Sequence, residues 1–591
     1  RAVAFHAGFA TTRAALGQEA LAAPFDRAVV VMGKPYNVHD RYQNLSLARH
    51  LERLGLPAIP WDVLPLEQVE LGPRWSNVPW HYNRDQLRTM ELIRRDGRLF
   101  PVLVSSYGCG PDGFTVKHLE ELLADRPHLL LEFDEHRGEA GLVTRLEAFC
   151  DEIDEHLRLR DGAPPPRRQT PGPPPGPGRG RVFLSDFSEH AQVFAGAFRA
   201  AGSRVEILPP PDEESIRIGE QHASGRECHP YAIMAGDLVR LVRERSVGED
   251  DAYISPGTMS PCLLQQYGDA FRILLDRHGL PREQVWEMPS SVLAEHLGSA
   301  GLLRLFEGLL TVDILIALAV RLRPYERRSG STDALLQAAA AELGRAVERR
   351  RPAVLALSRA ARDLWHNPRH GQPGQRPLVG VTGDLYTRLN PAGNAGLFAR
   401  LERMGCEVWP HPYFAGMVEL SAEQDAPRLA LRGRLREAAH GGLTWAVTAT
   451  IRRLFARALP PEARALAMEP PAGTLLELTR PYVGASTNHF VLQSVAKTVD
   501  FLHRGADGVL SVAGLNCMVG TAIAGAIPAI RRDHGQAPVV ALTYGSSEGP
   551  AQRSRLETFV HQVQQRAARR GRRPGGTSGA GRPRAATGGR P

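Results

Sequence analysis

Val29-Val30-Val31-Met32-Gly33, Arg181-Val182-Phe183-Leu184-Ser185 and Leu378-Val379-Gly380-Val381-Thr382 open three runs of the same design. Each apolar strand is followed by a polar turn, an amphipathic helix, a glycine and a second apolar strand. The helices close at Arg53-Leu54-Gly55, Ala200-Ala201-Gly202 and Arg403-Met404-Gly405, where glycine can take the left-handed conformation that stops a helix. Strands resume at Pro57-Ala58-Ile59, Val205-Glu206-Ile207 and Glu407-Val408-Trp409. Strand and helix alternating at this spacing predict a multi-domain α/β protein of Rossmann-like parallel sheets flanked by helices. In such sheets ligands bind beyond the carboxyl ends of the strands, so the residues just past each strand are the ones to read for chemistry.

The 591 residues are 43% hydrophobic and 23% charged, enough for several cores. Prolines and glycines crowd residues 159–180, a linker that holds neither helix nor sheet ladder. A weaker break at His370 to Arg376 divides the chain beyond that linker. The expected units are 1–158, 181–369 with a helical extension, and 370–565, with a disordered basic tail over 566–591. The formal charge of +8 resides in that tail, which carries eight arginines and no acid, so the body is neutral and offers no case for a specific nucleic-acid groove. Leu309 to Val320 is the longest apolar stretch, but it is short and contains Asp313. It reads as a buried helix, not a membrane span. No secretion signal is visible, which makes a cytoplasmic location the expectation. The chain starts at Arg1, inside what reads as helix, as a piece of a longer protein would.

Of six cysteines none stands in a Cys-x-x-Cys pair, which disfavours zinc ribbons and thioredoxin-like sites. Cys109 follows the strand 102–106, Cys262 follows the strand 252–254 by way of Ser260-Pro261, and Cys517 follows 509–512. Each precedes a helix. Cys228, in Glu227-Cys228-His229-Pro230-Tyr231, also opens a helix. The unpaired amides at a helix start favour a thiolate and can donate to cluster sulfur. Thiolates gathered from distant segments suit an iron–sulfur cluster better than a structural zinc, although a buried cysteine is more often a small hydrophobe. Cys150, inside a helix, and Cys406, at a strand entry, read as packing residues.

Several motifs resemble one family in order along the chain. They are Val31-Met32-Gly33-Lys34-Pro35-Tyr36-Asn37, Gly108-Cys109-Gly110-Pro111-Asp112, Asp134-Glu135-His136 and Thr144-Arg145-Leu146-Glu147-Ala148-Phe149. Glu227-Cys228-His229-Pro230-Tyr231, Arg323-Pro324-Tyr325-Glu326, Gly383-Asp384-Leu385-Tyr386-Thr387-Arg388-Leu389-Asn390-Pro391 and the stretch from Tyr544 to Phe559 continue the series. From about residue 27 to 565 the chain is similar to acyl-CoA dehydratase activase-related proteins and to the subunits of 2-hydroxyacyl-CoA dehydratases. The resemblance implies an activase-related first unit and two dehydratase-like units. It also implies a 4Fe-4S cluster held by Cys228, Cys262 and Cys517 with one iron open, Cys109 being a fourth ligand or the ligand of a separate site. The implied work is low-potential electron transfer or reduction of a bound acyl-CoA-type substrate, as a lyase or reductase component. The implied partners are an ATP-dependent activase domain or subunit and a dehydratase. No phosphate-binding fingerprint is present, so ATP is not expected to bind this chain.

Other candidates stand beside these. Glu227 and His229 flank Cys228 and could tune a cluster or move protons. Glu548 follows a strand and either touches a substrate or caps the helix after it. Asp134-Glu135-His136 are acid–base or metal groups, or a cap on the next segment, the structural reading being favoured. Two rival functions remain open: a scaffold or regulatory module that docks to an activase, and a zinc-thiolate protein.

Overall fold

A computed structural model of the chain describes residues 2–136, 138–159, 180–244, 247–258, 260–288, 290–414, 416–484, 487–545 and 548–570. Most of the expected linker and the tail beyond Arg570 lie outside the described residues. Twelve strands form three all-parallel sheets of four. The first sheet holds β1 (Ala28–Gly33), β2 (Ala58–Pro60), β3 (Leu99–Ser106) and β4 (Leu129–Phe133). The second holds β5 (Arg181–Leu184), β6 (Arg204–Ile207), β7 (Ala252–Pro256) and β8 (Val285–Met288). The third holds β9 (Leu378–Gly383), β10 (Glu407–Pro410), β11 (Gly508–Gly514) and β12 (Val539–Tyr544). All three share one order, β2-β1-β3-β4, β6-β5-β7-β8 and β10-β9-β11-β12. The chain therefore reverses direction across each sheet between its first and third strands, and that switch opens a crevice at the carboxyl edge.

Helices cover both faces, which is why β1, β9 and β11 are buried at every position and read as continuous apolar runs. Gly55, Gly202 and Gly405 take φ of 69°, 96° and 84° at the helix stops. The stretch from Leu309 to Val320 is the buried part of the helix Ser290–Leu322, and its Asp313 is paired with the buried His190 at 3.1 Å. Among the described residues no helix is long and apolar enough to cross a membrane. One boundary needs correcting: the basic tail does not begin at 566, because the last helix runs Pro550–Arg569 and buries Val563 and Ala567. Apolar contact there outweighs the basic composition.

The first and third units repeat one another at constant spacing. Gly33, Tyr36, Asn44, Leu47, Leu51 and Gly55 recur as Gly383, Tyr386, Asn394, Leu397, Leu401 and Gly405. Asn44 Nδ2 donates to the carbonyls of Asn37 and Val38, as Asn394 Nδ2 donates to those of Thr387 and Arg388. Gly33 and Gly383 both end their strands at positive φ (149° and 125°), where a Cβ would collide with the carbonyl of Val104 or Val512. Cys109 and Cys517 hold equivalent places. Their N–H groups donate to Ser106 O and Gly514 O at 3.1 Å in each case, and their carbonyls accept from Gly113 and Thr521.

The first unit packs on the second through buried charge. Arg74 bridges Glu121 at 2.5 Å and Asp269 at 3.2 Å, Lys117 meets Glu227 at 2.5 Å, and Phe114 stacks against Tyr267. The second and third units meet through the buried Arg321–Glu407 pair and through Asp313, which accepts from the N–H groups of Tyr413 and Phe414.

Candidate metal centre

Cys228, Cys262 and Cys517 come from segments far apart in the chain, and local contacts tie those segments together. Asn516 Nδ2 donates to Gly225 O at 2.9 Å and Glu227 O at 3.3 Å, while His229 N–H donates to Leu515 O at 3.1 Å. Asn516 holds φ of 61°, a left-handed turn that asparagine tolerates and that sets Cys517 at the start of the helix Met518–Asp533. Cys262 precedes the short 3-10 turn Leu263–Gln266, and Cys228 precedes the helix His229–Glu244. Cys262 and Cys517 pack against one core cluster. Cys228 is buried and the other two are half-buried, so the group has a closed floor and a partly open rim.

Every thiol here is held well above its usual pKa. Burial is the largest cause for all three, pushing Cys262 up to about 11 and Cys228 and Cys517 higher still. Asp384 and mutual repulsion among the three sulfurs push in the same direction. Asp384 is fixed by the N–H groups of Thr387 and Gly514, each at 2.7 Å. Three thiols and one buried carboxylate thus lie within electrostatic reach of one another, with Arg388 the cation acting on Asp384. Cys228 Sγ also shares a hydrogen with the Tyr267 hydroxyl at 2.8 Å.

As placed, the three sulfurs do not all lie within 4.8 Å of one another. Thiolates bound to a single zinc at about 2.3 Å stand roughly 3.8 Å apart. Among the described residues, the set of three or more candidate ligand atoms within 4.8 Å of one another is Asp134, Glu135 and His136, and it does not include the thiols. Those three side chains are exposed, and Asp134 Oδ1 accepts from His136 N–H at 2.8 Å, a local turn ahead of the helix Glu139–Leu159.

Cys109 is placed differently. Its sulfur accepts from Lys34 Nζ at 2.9 Å, and Lys34 also pairs with the buried Asp112 at 2.7 Å. Burial and Asp112 raise the Cys109 pKa while Lys34 opposes them. Gly110 nevertheless packs so closely on Leu263 and Asn516 that a Cβ would clash with both, so the first unit abuts the segments that carry Cys262 and Cys517. Cys406 is in the core, and Cys150 Sγ accepts from Arg27 at 3.8 Å.

The acid–base candidates divide. Glu227 is buried and engaged by Lys117 and by the Ser224 N–H. Burial holds His229 neutral by lowering its pKa to about 4. Glu548 pairs with Arg400 at 2.6 Å and with Arg553 at 3.5 Å, which accounts for its carboxylate structurally. Sequence reasoning did not pick out Asp384 or Tyr267 as site residues. Asp384 carried a signal, an acid directly after a central strand, whereas Tyr267 inside an apolar helix carried none.

Comparison with known families and with curated proteins finds no family model and no curated protein that matches the chain.

Proposed function

We propose that the chain is an iron–sulfur protein in which Cys228, Cys262 and Cys517 hold a 4Fe-4S cluster for low-potential electron transfer or for reduction of a bound substrate such as an acyl-CoA. The observation that carries this reading is the meeting of three helix-start thiols and Asp384 at the carboxyl edges of the second and third sheets. A cationic inorganic core would stabilise the thiolate forms that burial alone disfavours here, and thiolates, not thiols, are what it binds. When bound, such a cluster would supply one electron at a time and, with three protein ligands, an iron open to a small ligand. The chain's own residues would contribute the dry floor around Cys228, the Tyr267 hydroxyl beside its sulfur and a neutral His229. Cys109, balanced by Lys34, is assigned a structural thiol rather than a fourth ligand. ATP hydrolysis is assigned to a partner activase.

Anaerobic purification of the full chain followed by iron, zinc and acid-labile sulfide analysis tests the reading. Iron and sulfide in equal amounts, lost in Cys228→Ala, Cys262→Ala and Cys517→Ala, are expected. Zinc without sulfide would make it a zinc protein, and a colourless metal-free chain would leave the scaffold.

A further inference from the structure

A second group of buried polar side chains gathers at the carboxyl edge of the second sheet, where its strand order switches between β5 and β7. Ser185 and Asp186 follow β5, and the Ser185 hydroxyl lies 2.7 Å from that of Tyr253 on β7. Ser255, two residues along β7 on the same face as Tyr253, is fully buried with no partner for its Oγ. Asp237 projects from the helix His229–Glu244, is 5% exposed, and has no partner for Oδ2. Tyr386, from the third unit, brings a buried hydroxyl that also has no partner. Asp237 and Asp186 repel each other, and Tyr386 is within electrostatic reach of both. An unsatisfied buried oxygen costs about 1–3 kcal/mol, so three of them collected from three elements at a switch-point crevice mark a place built for an occupant rather than for packing.

We propose that Asp186, Asp237, Ser255 and Tyr386 form a ligand subsite that takes an uncharged oxygen, the hydroxyl or carbonyl of a small molecule, with Asp237 supplying the hydrogen-bonding proton. The surrounding charges fit that choice. Glu189 lies near Asp186 and Asp212 near Asp237, so a carboxylate or phosphate would be repelled. Arg240, the nearby cation, is occupied by Asp212 and by the Ser215 hydroxyl, both at 2.8 Å. Burial pushes Asp237 up to about 7 and Asp186 up to about 6, which leaves a proton on Asp237 when Asp186 has begun to ionise. One carboxyl then donates to a carbonyl oxygen while the other accepts from a hydroxyl. The subsite lies along the helix that Cys228 opens, about 13 Å of helical rise from that cysteine. Tyr386 is two residues from Asp384, which faces the thiols. The inference goes beyond the cluster reading and does not depend on it, because it is read on the carboxyl groups of the metal-free chain.

Infrared difference spectra of the full metal-free chain, recorded from about pH 5 to about pH 8 with and without lactamide as a neutral hydroxy-carbonyl probe, test it. Two protonated-carboxyl bands are expected in the wild type, one titrating at about 7 that is absent in Asp237→Asn and one at about 6, from Asp186, that is absent in Asp186→Asn. Lactamide should shift the Asp237 band and bind about tenfold more weakly at the alkaline end, while lactate at equal concentration leaves it unmoved. Tyr386→Phe, which removes one oxygen without changing the packing, should keep the band and lose the lactamide shift. A band at about 7 that persists in Asp237→Asn, that ignores lactamide, or that responds alike to lactamide and lactate overturns the assignment.

Discussion

The first and third units place a cysteine at the same address and surround it with opposite charge. Cys109 and Cys517 each cap a helix beyond the third strand of their sheet. The residue after the first strand, which approaches the cysteine, is Lys34 in one copy and Asp384 in the other. Lys34 touches the Cys109 sulfur and is itself held above its usual range by Asp112 and Cys109, against the effect of burial. Asp384 raises the pKa of three thiols at once. One copy sets a cation on its cysteine sulfur, and the other sets a carboxylate near three thiols with Arg388 as the cation within its electrostatic reach. A single charge reversal thus separates a structural cysteine from a candidate ligand within one backbone design.

Four perturbations break or sharpen that contrast. The largest effect is expected for Arg321→Met. The buried Glu407 at the start of β10 would lose its cation, keeping only neutral partners such as the Tyr325 hydroxyl at 2.7 Å, whereas the equivalent place in the first unit is the uncharged Pro57. Urea unfolding should register about 3–5 kcal/mol lost.

Acid should then act on both of these units through buried histidines, His118 in the first and His411 in the third, each lowered by burial. His118 is buried edge-on against Trp75, neither of its nitrogens has a partner, and burial lowers its pKa to about 4. The third unit has Ala526 at the equivalent place. A histidine depressed on folding contributes stability that is present above its unfolded value near 6.5 and is lost as pH falls through that value toward 4. About 3 kcal/mol should disappear across that window on account of His118, and His118→Phe should remove that share of the pH dependence of unfolding while the share of His411 stays.

Asp384→Asn replaces an acceptor with an amide that cannot satisfy both the Thr387 and Gly514 N–H groups. A loss of about 1–3 kcal/mol is expected, together with lower thiol pKa values read by alkylation rates. The smallest effect belongs to Ser46→Gly. Ser46 holds φ of 56° where the third unit has Gly396 at 66°, and glycine there should add up to about 1 kcal/mol.

The three sheets were legible because alternating apolar runs, helical periods and stop glycines are local signals that each element carries in itself. The repeat was half-legible. The matching openings were visible, and the strict correspondence of Asn44 with Asn394 gains meaning only through the carbonyls they bind. Cys109, Cys262 and Cys517 were readable as helix starts after strands and Cys228 as a helix start alone, the trio coming from the family resemblance. The role of Lys34 was not readable, since its contact with Cys109 joins segments 75 residues apart. The same holds for Glu548, whose carboxylate goes to Arg400 on a distant helix. The carboxyl subsite escaped because Asp186 and Asp237 look like ordinary surface acids until folding buries them. Cys109 was set apart on account of the linker, yet Arg74 and Lys117 bind its unit firmly to the next. What separates it is the ammonium beside its sulfur.

Electron paramagnetic resonance of the anaerobically purified, reduced chain addresses the central claim directly. A cluster signal in the wild type that vanishes in Cys228→Ala, Cys262→Ala and Cys517→Ala and persists in Cys109→Ala is the expected result. A signal that survives loss of any of the three, or that disappears with Cys109 alone, would contradict it.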